Sequence, residues 1–321
     1  MAKAKPFIKW VGGKGQLLEQ LEALLPVDFD NWNNATYIEP FVGGGAMLFH
    51  MLQKHPNIKR AVVNDINHDL IVCYQTVRDH VEKLIPSLQD IEKRYYALTD
   101  MEAKREMYLE VRSRYNEKNL DPIENTTLFF FLNKTCFNGL YRVNRKGLFN
   151  VPWGKYMTPL ICDEATLRAD NELLQRVEIL EGDFAQTIDF AQEQTLFYFD
   201  PPYRPLSDTS SFNDYTKDAF NDGSQVRLKE YCDTVSEHGY KFMLSNSDCK
   251  GKNEEDNFFD VLYEAYQIDR VMASRNVNAN AAKRGKITEI LVHNYVNTKK
   301  QYTPLNLEPL EVAEPQFVYA S

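Results

Sequence analysis

The chain is short of clustered cysteine. Its five cysteines, Cys73, Cys136, Cys162, Cys232 and Cys249, include no C-x-x-C pair and no cysteine–histidine cluster. An odd number of widely spaced thiols argues against a disulfide framework and a structural zinc site, so reduced cysteines and no metal are expected. Long apolar runs are missing too: the longest obvious cluster, "LFFFL" at Leu128 to Leu132, is far below the ~20 residues that cross a bilayer. No apolar signal segment follows the opening "MAKAKPF", and the expectation is a cytoplasmic protein with no membrane partner. Positive charge is in deficit, with 37 Lys and Arg against 46 Asp and Glu and a net charge of −9. Taken globally, that argues mildly against nucleic acid, whose phosphates are met by Lys and Arg. A phosphate-binding loop is also absent. "FIKWVGGKGQLL" has Ile8 where G-x-x-x-x-G-K-[ST] needs glycine, and Gly15 where it needs the magnesium-holding hydroxyl. The segment around Gly12, Gly13 and Lys14 therefore needs another explanation.

Local charge tells a different story from global charge. Between Asn133 and Tyr156 stand Lys134, Arg142, Arg145, Lys146 and Lys155 with no acid among them, and Arg270 to Thr288 carries Arg270, Arg275, Lys283, Arg284 and Lys286 with none either. The chain of 321 residues is long enough for one large domain with a smaller one inserted or appended. "QLLEQLEALLP" spaces its leucines as an amphipathic helix ending at Pro26, and "TYIEP" reads as a strand entering the glycines of "FVGGGAMLFHML", where helical spacing resumes. "RAVVND" is a second strand, ending on Asp65; "VEILEGDF", "TLFYFDPPY", "KFMLSN" and "EILVHNY" follow as strands between helix-length segments. That alternation predicts an α/β sheet. From about residue 67 to 156 the pattern turns to charged helical sequence closing on "NGLYRVNRKGLFNVPWG", two aromatic runs around a turn that suggest a basic β-hairpin. The expected division is a catalytic unit of residues 1–66 and 157–298, an inserted recognition domain 67–156, and a loosely packed tail 299–321.

Two segments carry chemistry. "EPFVGGG" after a strand lets backbone approach a ligand, and Asp65, about two dozen residues on at the end of the next strand, stands where a carboxylate takes ribose hydroxyls. Three glycines also serve as a plain turn. The departure from G-x-G-x-x-G, with Ala46 directly after the glycines, turns the reading away from a dinucleotide dehydrogenase. "TLFYFDPPY" delivers Asp200, Pro201, Pro202 and Tyr203 to the carboxyl edge of the sheet, where ligands bind in open α/β folds. A base amino group conjugated into its ring is a poor nucleophile. Hydrogen bonds accepted from its two hydrogens, by a carboxylate and a backbone carbonyl, keep the lone pair available for attack. Two prolines stiffen the backbone and a tyrosine offers a face for an extruded base. A strand end capped by a proline turn, with Tyr203 as ordinary packing, is the plainer alternative.

The order "FIKWVGGK", "YIEPFVGGGAMLF", "NDIN", "FNGLYRVNRKGLFNVPWGKY", "GDF" and "DPPY" over residues 7 to 295 resembles the Dam-type DNA adenine methyltransferases, the alpha group of amino methyltransferases, and in particular the DpnII-type methylases that modify GATC. The resemblance implies a Rossmann-like methyltransferase sheet with an inserted, mainly helical DNA-recognition domain, S-adenosylmethionine as methyl donor and double-stranded DNA as partner. It further implies that Trp10 and Lys14 help hold the cofactor, that Phe41, Gly43 and Gly45 form the loop beside its methionine part, that Asp65 binds its ribose, and that Asp183 and Phe184 hold and stack its adenine. Asp200 and the Pro201 carbonyl would bind the target amino group in a pocket completed by Pro202, with Tyr203 stacking on the flipped adenine. Lys9, Asn138, Leu140, Arg142, Pro152 and Tyr156 would read DNA. Trp10 as core, Asp183 as a helix cap and Lys14 as a solvated side chain are the local alternatives, while Lys134, Arg145, Lys146 and Lys155 are read as surface or phosphate-touching residues. Amino methylation of cytosine or of RNA, and a non-catalytic binding module on the same fold, are the competing functions. A bacterial or phage origin completes the expectation, the enzyme either accompanying a cognate restriction endonuclease that acts on the same site without a stable complex or acting alone.

Overall fold

The computed structural model describes residues 2–204, 220–274 and 286–297. At its centre β1 (Ala35–Glu39) is buried at every position and pairs in parallel with β2 (Ile58–Asp65) and β4 (Thr195–Phe199). Strands covered on both faces need apolar residues at successive positions, which is how "TLFYF" reads. β3 (Val177–Glu181) extends the sheet beyond β2, and β5 (Lys241–Ser247), β7 (Lys286–His293) and β6 (Gln267–Ser274) extend it beyond β4, giving the order β3-β2-β1-β4-β5-β7-β6. β7 runs antiparallel to both its neighbours. From β1 the chain steps outward to β2 and β3, and from β4 it steps the other way to β5. The carboxyl ends of β1 and β4 therefore flank the point where ligands bind in open sheets.

Helices follow from apolar spacing and caps. α1 (Leu18–Ala23) is a short helix before the sheet, and α2 (Ala46–Lys54) buries Met47, Leu48, Phe49, Met51 and Leu52 after the glycine turn. α3 (His68–Ala97) opens on Asn67, whose side chain accepts the Leu70 N–H, and is broken at His80, where φ is −135°. Its first half faces both ways: Tyr74 donates to the Gly43 carbonyl and Arg78 to the Val177 carbonyl on β3, while Thr76 donates to the Pro122 carbonyl and Asp69 accepts from Lys118 and the Tyr141 hydroxyl. Its second half meets the expected helical insert at Tyr95, whose carbonyl accepts from Lys104 of α4 (Met101–Tyr115) and whose ring meets Phe131 of α5 (Pro122–Thr135) edge-on. α5 begins with an Asp121 cap and Pro122 at its first position, where the missing N–H costs nothing. One apolar cluster runs without interruption from Phe7, Phe49 and Tyr74 through Phe130 and Phe131 to Tyr108 and Phe149, so sheet and insert share a core.

The expected β-hairpin is only partly a ladder. Residues 136–153 fold back on themselves, but the pairing consists of two isolated antiparallel bridges, Cys136 with Trp153 and Val143 with Phe149. Side chains from α4 and the turn after it take the backbone groups that strands would exchange: Asn116 both donates to and accepts from Phe149, and the Tyr108 hydroxyl donates to the Val151 carbonyl. α6 (Glu164–Leu174) leads into β3, a 3₁₀ turn covers Phe184–Phe190, and α7 (Asp222–Glu237), α8 (Cys249–Lys252) and α9 (Phe258–Leu262) surround β5. Most of the second basic strip and the whole expected tail lie outside the described residues.

Candidate active site at the carboxyl edge of the sheet

β4 ends by turning Asp200 into a buried cluster of unlike charges. Asp200 Oδ1 accepts the Ser245 hydroxyl from β5 at 3.0 Å and meets Lys14 Nζ at 3.0 Å. Burial pushes the Asp200 carboxyl up to about 6, against the pull of Lys14 and the Ser245 hydrogen bond. The neighbouring anions matter as well: Glu289 raises Asp200 further, and Asp200 in turn raises the buried Glu39 at the end of β1. Lys14 is not the solvated side chain that a surface lysine would be. It is 5% exposed, its ammonium lies 4.1 Å from the centre of the Tyr203 ring, and a second carboxylate, Glu289 of β7, stands 3.6 Å away. Tyr203 donates its hydroxyl to the same Glu289 at 2.6 Å.

The Pro201–Pro202 backbone has no N–H groups with which to anchor itself. Two fully buried amides supply the anchor. Gln225 of α7 donates to the Pro202 carbonyl at 3.1 Å, Asn246 of β5 donates to Gln225 at 3.0 Å, and Asn246 Oδ1 accepts the Arg204 N–H at 3.3 Å. Arg204 is fixed in turn by Asp222 and Asp256 and lies over the Phe258 ring. Ser245, Gln225, Asn246 and Glu289 were not singled out in the sequence. Their signal is a polar residue inside an otherwise apolar strand or helix face, as in "KFMLSN" and "KITEIL".

The glycine turn forms the second wall. Gly43 (φ 48°) and Gly45 (φ 74°) adopt left-handed backbone. A Cβ on Gly43 would lie 2.9 Å from Trp10 Cδ1, and one on Gly45 would lie 2.4 Å from the Tyr74 hydroxyl. Asp65 accepts the Gly43 N–H at 3.1 Å and the Asn67 N–H at 2.9 Å; burial raises its carboxyl while these bonds lower it. Trp10 is half-buried and stacks on Tyr141 at 5.5 Å. Phe41 lies 5.2 Å from Phe184, which is buried among Phe41, Phe220 and Tyr231. Asp183 caps the 3₁₀ turn through the Ala185 N–H and pairs with Arg227 at 2.6 and 2.7 Å, which holds its carboxyl below the usual range. Both its oxygens are thus engaged by protein. Ile66, 76% exposed beside Asp65, is an apolar side chain the sequence reading passed over.

Lys9, Gly139 and Tyr156 converge from three parts of the chain. Asn133 locks Lys9 to the Asn138–Leu140 turn by accepting the Lys9 N–H and donating to the Lys9 and Gly139 carbonyls. The Lys9 stem lies so close to Gly139 that a Cβ there would meet it at 2.3 Å, and the Lys9 ammonium lies 5.1 Å from the Tyr156 ring centre. Asn138 takes φ 55° and is exposed, as are Arg142 and Pro152, while Leu140 is half-buried. Arg142 donates to the side chain of Asn150 at 2.8 Å and to its carbonyl at 3.1 Å. Arg145, Lys146 and Lys155 are exposed, but Lys134 is not an open surface residue: it sits in a cleft with Lys5, Lys9, Tyr156 and Asp163, and burial lowers its ammonium to about 8.

Residues 10–277 match the model of a protein family described as D12 class N6 adenine-specific DNA methyltransferase. The chain belongs to this methyltransferase class. Among curated relatives it is 45% identical to the type II methyltransferase M.MjaIII of Methanocaldococcus jannaschii, over 91% of this chain and all of that one. It is 37% identical to the type II methyltransferase M1.LlaDCHI of Lactococcus lactis subsp. cremoris, over 91% and 96% of the two chains, and 32% identical to the DNA adenine methylase of Vibrio cholerae over the same shares. The D12 enzyme is an adenine-specific DNA methyltransferase that uses S-adenosylmethionine as methyl donor. The turn built on Gly43 and Gly45, free of Cβ atoms beside a carboxylate, fits such a donor. Among the described residues no group of three or more His, Cys, Asp or Glu side chains is arranged to hold a metal ion, and no helix is long and apolar enough to cross a membrane.

Proposed function

We propose that the enzyme methylates the adenine of GATC on both strands of duplex DNA, as a DpnII-like member of its class. The reading is supported above all by the junction of Lys9, the Asn138–Leu140 turn and Tyr156, where Asn133, 124 positions from Lys9, ties Lys9 to Gly139 and the Lys9 ammonium lies 5.1 Å from the Tyr156 ring centre. Arg142 reads an outer guanine, Lys9 and Tyr156 lie at the opposite outer pair, and Leu140 and Pro152 meet inner thymine methyls, each group matching the edge it faces. Asn138 sits between them. Sequencing DNA from cells that express the enzyme, with modified adenines called, tests this: GATC methylated on both strands is expected, and another motif overturns it.

In the active site we assign Asp200 and the Pro201 carbonyl to the two hydrogens of the extruded adenine amino group. Pro202, held by Gln225, fixes the direction of the neighbouring carbonyl, and Tyr203 offers its ring face to the base. The donor supplies an electrophilic methyl on a sulfonium. Asp200 and the Pro201 carbonyl would keep the amino nitrogen's lone pair free to take that methyl, and Asp200 would be the adjoining acceptor for the proton the nitrogen gives up. Asp65 takes the ribose hydroxyls; Trp10 and Phe41 line the turn of Gly43 and Gly45; Lys14 carries the positive charge that balances Asp200. Asp183 and Phe184 close the adenine end of the pocket, with Asp183 sharing its carboxylate with Arg227. The catalytic unit comprises residues 1–66 and 157–298 and the recognition insert residues 67–156. The type II names of two relatives suggest a cognate restriction endonuclease cutting the same site, without a stable complex.

A further inference from the structure

Lys14 stands on one oxygen of the carboxylate assigned to the adenine amino group. Its ammonium is 3.0 Å from Asp200 Oδ1 and 6% of its side chain is exposed, so an incoming base shares the carboxylate with the protein's own cation and weakens its hold on it. A buried ammonium that loses its carboxylate partner needs another. One carboxylate is in place for this: Glu289, 3.6 Å from the same ammonium, on the reversed strand β7. Glu289 also accepts the Tyr203 hydroxyl at 2.6 Å. The groups around Asp200 are thus Lys14 from the N-terminal segment, Glu39 and Tyr37 from β1, Tyr198 from β4, Ser245 from β5, Tyr203 and Glu289.

We infer that Glu289 is a positioning residue for methyl transfer, receiving the Lys14 ammonium when the target adenine takes Asp200 and holding the Tyr203 ring in place for stacking. The inference rests on the role assigned to Asp200 above. The ammonium already lies within ion-pair reach of both carboxylates, 3.0 Å from one and 3.6 Å from the other. Glu289 contacts neither the base edge nor the methyl group in this scheme; it acts through Lys14 and Tyr203.

The test is single-turnover methyl transfer to a GATC duplex as a function of pH, with wild type, Glu289→Gln and Glu289→Asp, alongside cofactor and duplex affinities. Wild-type turnover on this duplex is the control for the site reading: its absence, with turnover on another sequence, overturns GATC, and the comparison then runs on that sequence. In Glu289→Gln, Lys14 stays on Asp200, so the rate should fall about tenfold or more, while both affinities stay within about twofold of wild type. Because Glu289 raises the Asp200 carboxyl, its neutralisation should also move the acid limb of the rate profile to lower pH. Glu289→Asp keeps the anion and should restore much of the rate and the position of the limb. A Gln variant within about twofold of the wild-type rate, a fallen rate with an unmoved acid limb, or an Asp variant no better than Gln would each overturn the role. Failure of the Gln variant to fold leaves the Asp variant to decide on its own limb: a displaced limb there counts against the inference.

Discussion

The floor of the proposed active site and the loop proposed to read DNA are held together by opposite means. Around Asp200 the polar side chains are withdrawn from water and answer one another: Lys14, Ser245 and Glu289 on one side, Gln225 and Asn246 beneath the prolines. In residues 136–156 the backbone is tied down by Asn116, Tyr108 and Asn133, and many of the polar side chains it carries are left in solvent. The first arrangement fixes charges where a reaction develops and dissolves charge, and its groups are electrostatically stronger for being dry. The second fixes a frame and leaves its side chains to find partners on DNA. Substitutions in the two regions should therefore differ in kind: those in the floor decide whether a methyl moves, those on the loop decide where.

The strongest way to break this contrast is Asp200→Ala. Methyl transfer should fall by a factor of about 10² to 10⁴, as when a positioned polar group is removed from a transition state, while the protein stays folded and binds duplex, because Lys14 keeps Glu289 as a partner. A labelled-methyl assay showing substantial turnover would remove Asp200 from its role. Asp65→Ala comes next: cofactor affinity should weaken by roughly 1.5 to 3 kcal/mol through lost bonds to a charged acceptor, with the Gly43 N–H released as well. Calorimetric titration with cofactor tests it, and an unchanged dissociation constant contradicts it. On the loop, Arg142→Ala should cost about 1 to 3 kcal/mol of discrimination at one flank of the site. Equal losses on every sequence would mean that Arg142 does not read a base. The smallest effect belongs to Lys146→Ala, which should weaken binding to all sequences alike and reduce the salt slope by about 1; fluorescence anisotropy over a salt series measures it.

The order in which these effects fall follows what a sequence can and cannot carry. β1, β2 and β4 were legible because strands buried on both faces write themselves as continuous apolar runs, and the aspartate after "TLFYF" was legible because a proline pair ends the strand. The place of Lys14 was not. Its burial depends on β4 and β7 arriving from 186 and 275 residues away, and nothing in "VGGKGQ" encodes that meeting. Glu289 is the same case from the other side, a lone acid in an apolar strand. The loop failed as a clean hairpin because α4 and the turn after it, separate in sequence, take its hydrogen bonds. Local pattern records periodicity and punctuation; it does not record which distant amide fills a given carbonyl.

The break in α3 at His80 has a consequence for exchanging specificities between enzymes of this class. Tyr74, in the turns before the break, donates to Gly43 and fills the space under Gly45. A chimera spliced at residue 67 would therefore import a foreign floor for the methyl donor along with a foreign reading loop, and any change in its donor affinity would be mistaken for a change in recognition. A splice near His80 leaves Tyr74 with its own glycines but parts Thr76 from Thr126 and Asp69 from Tyr141, so the graft has to carry matching partners for both.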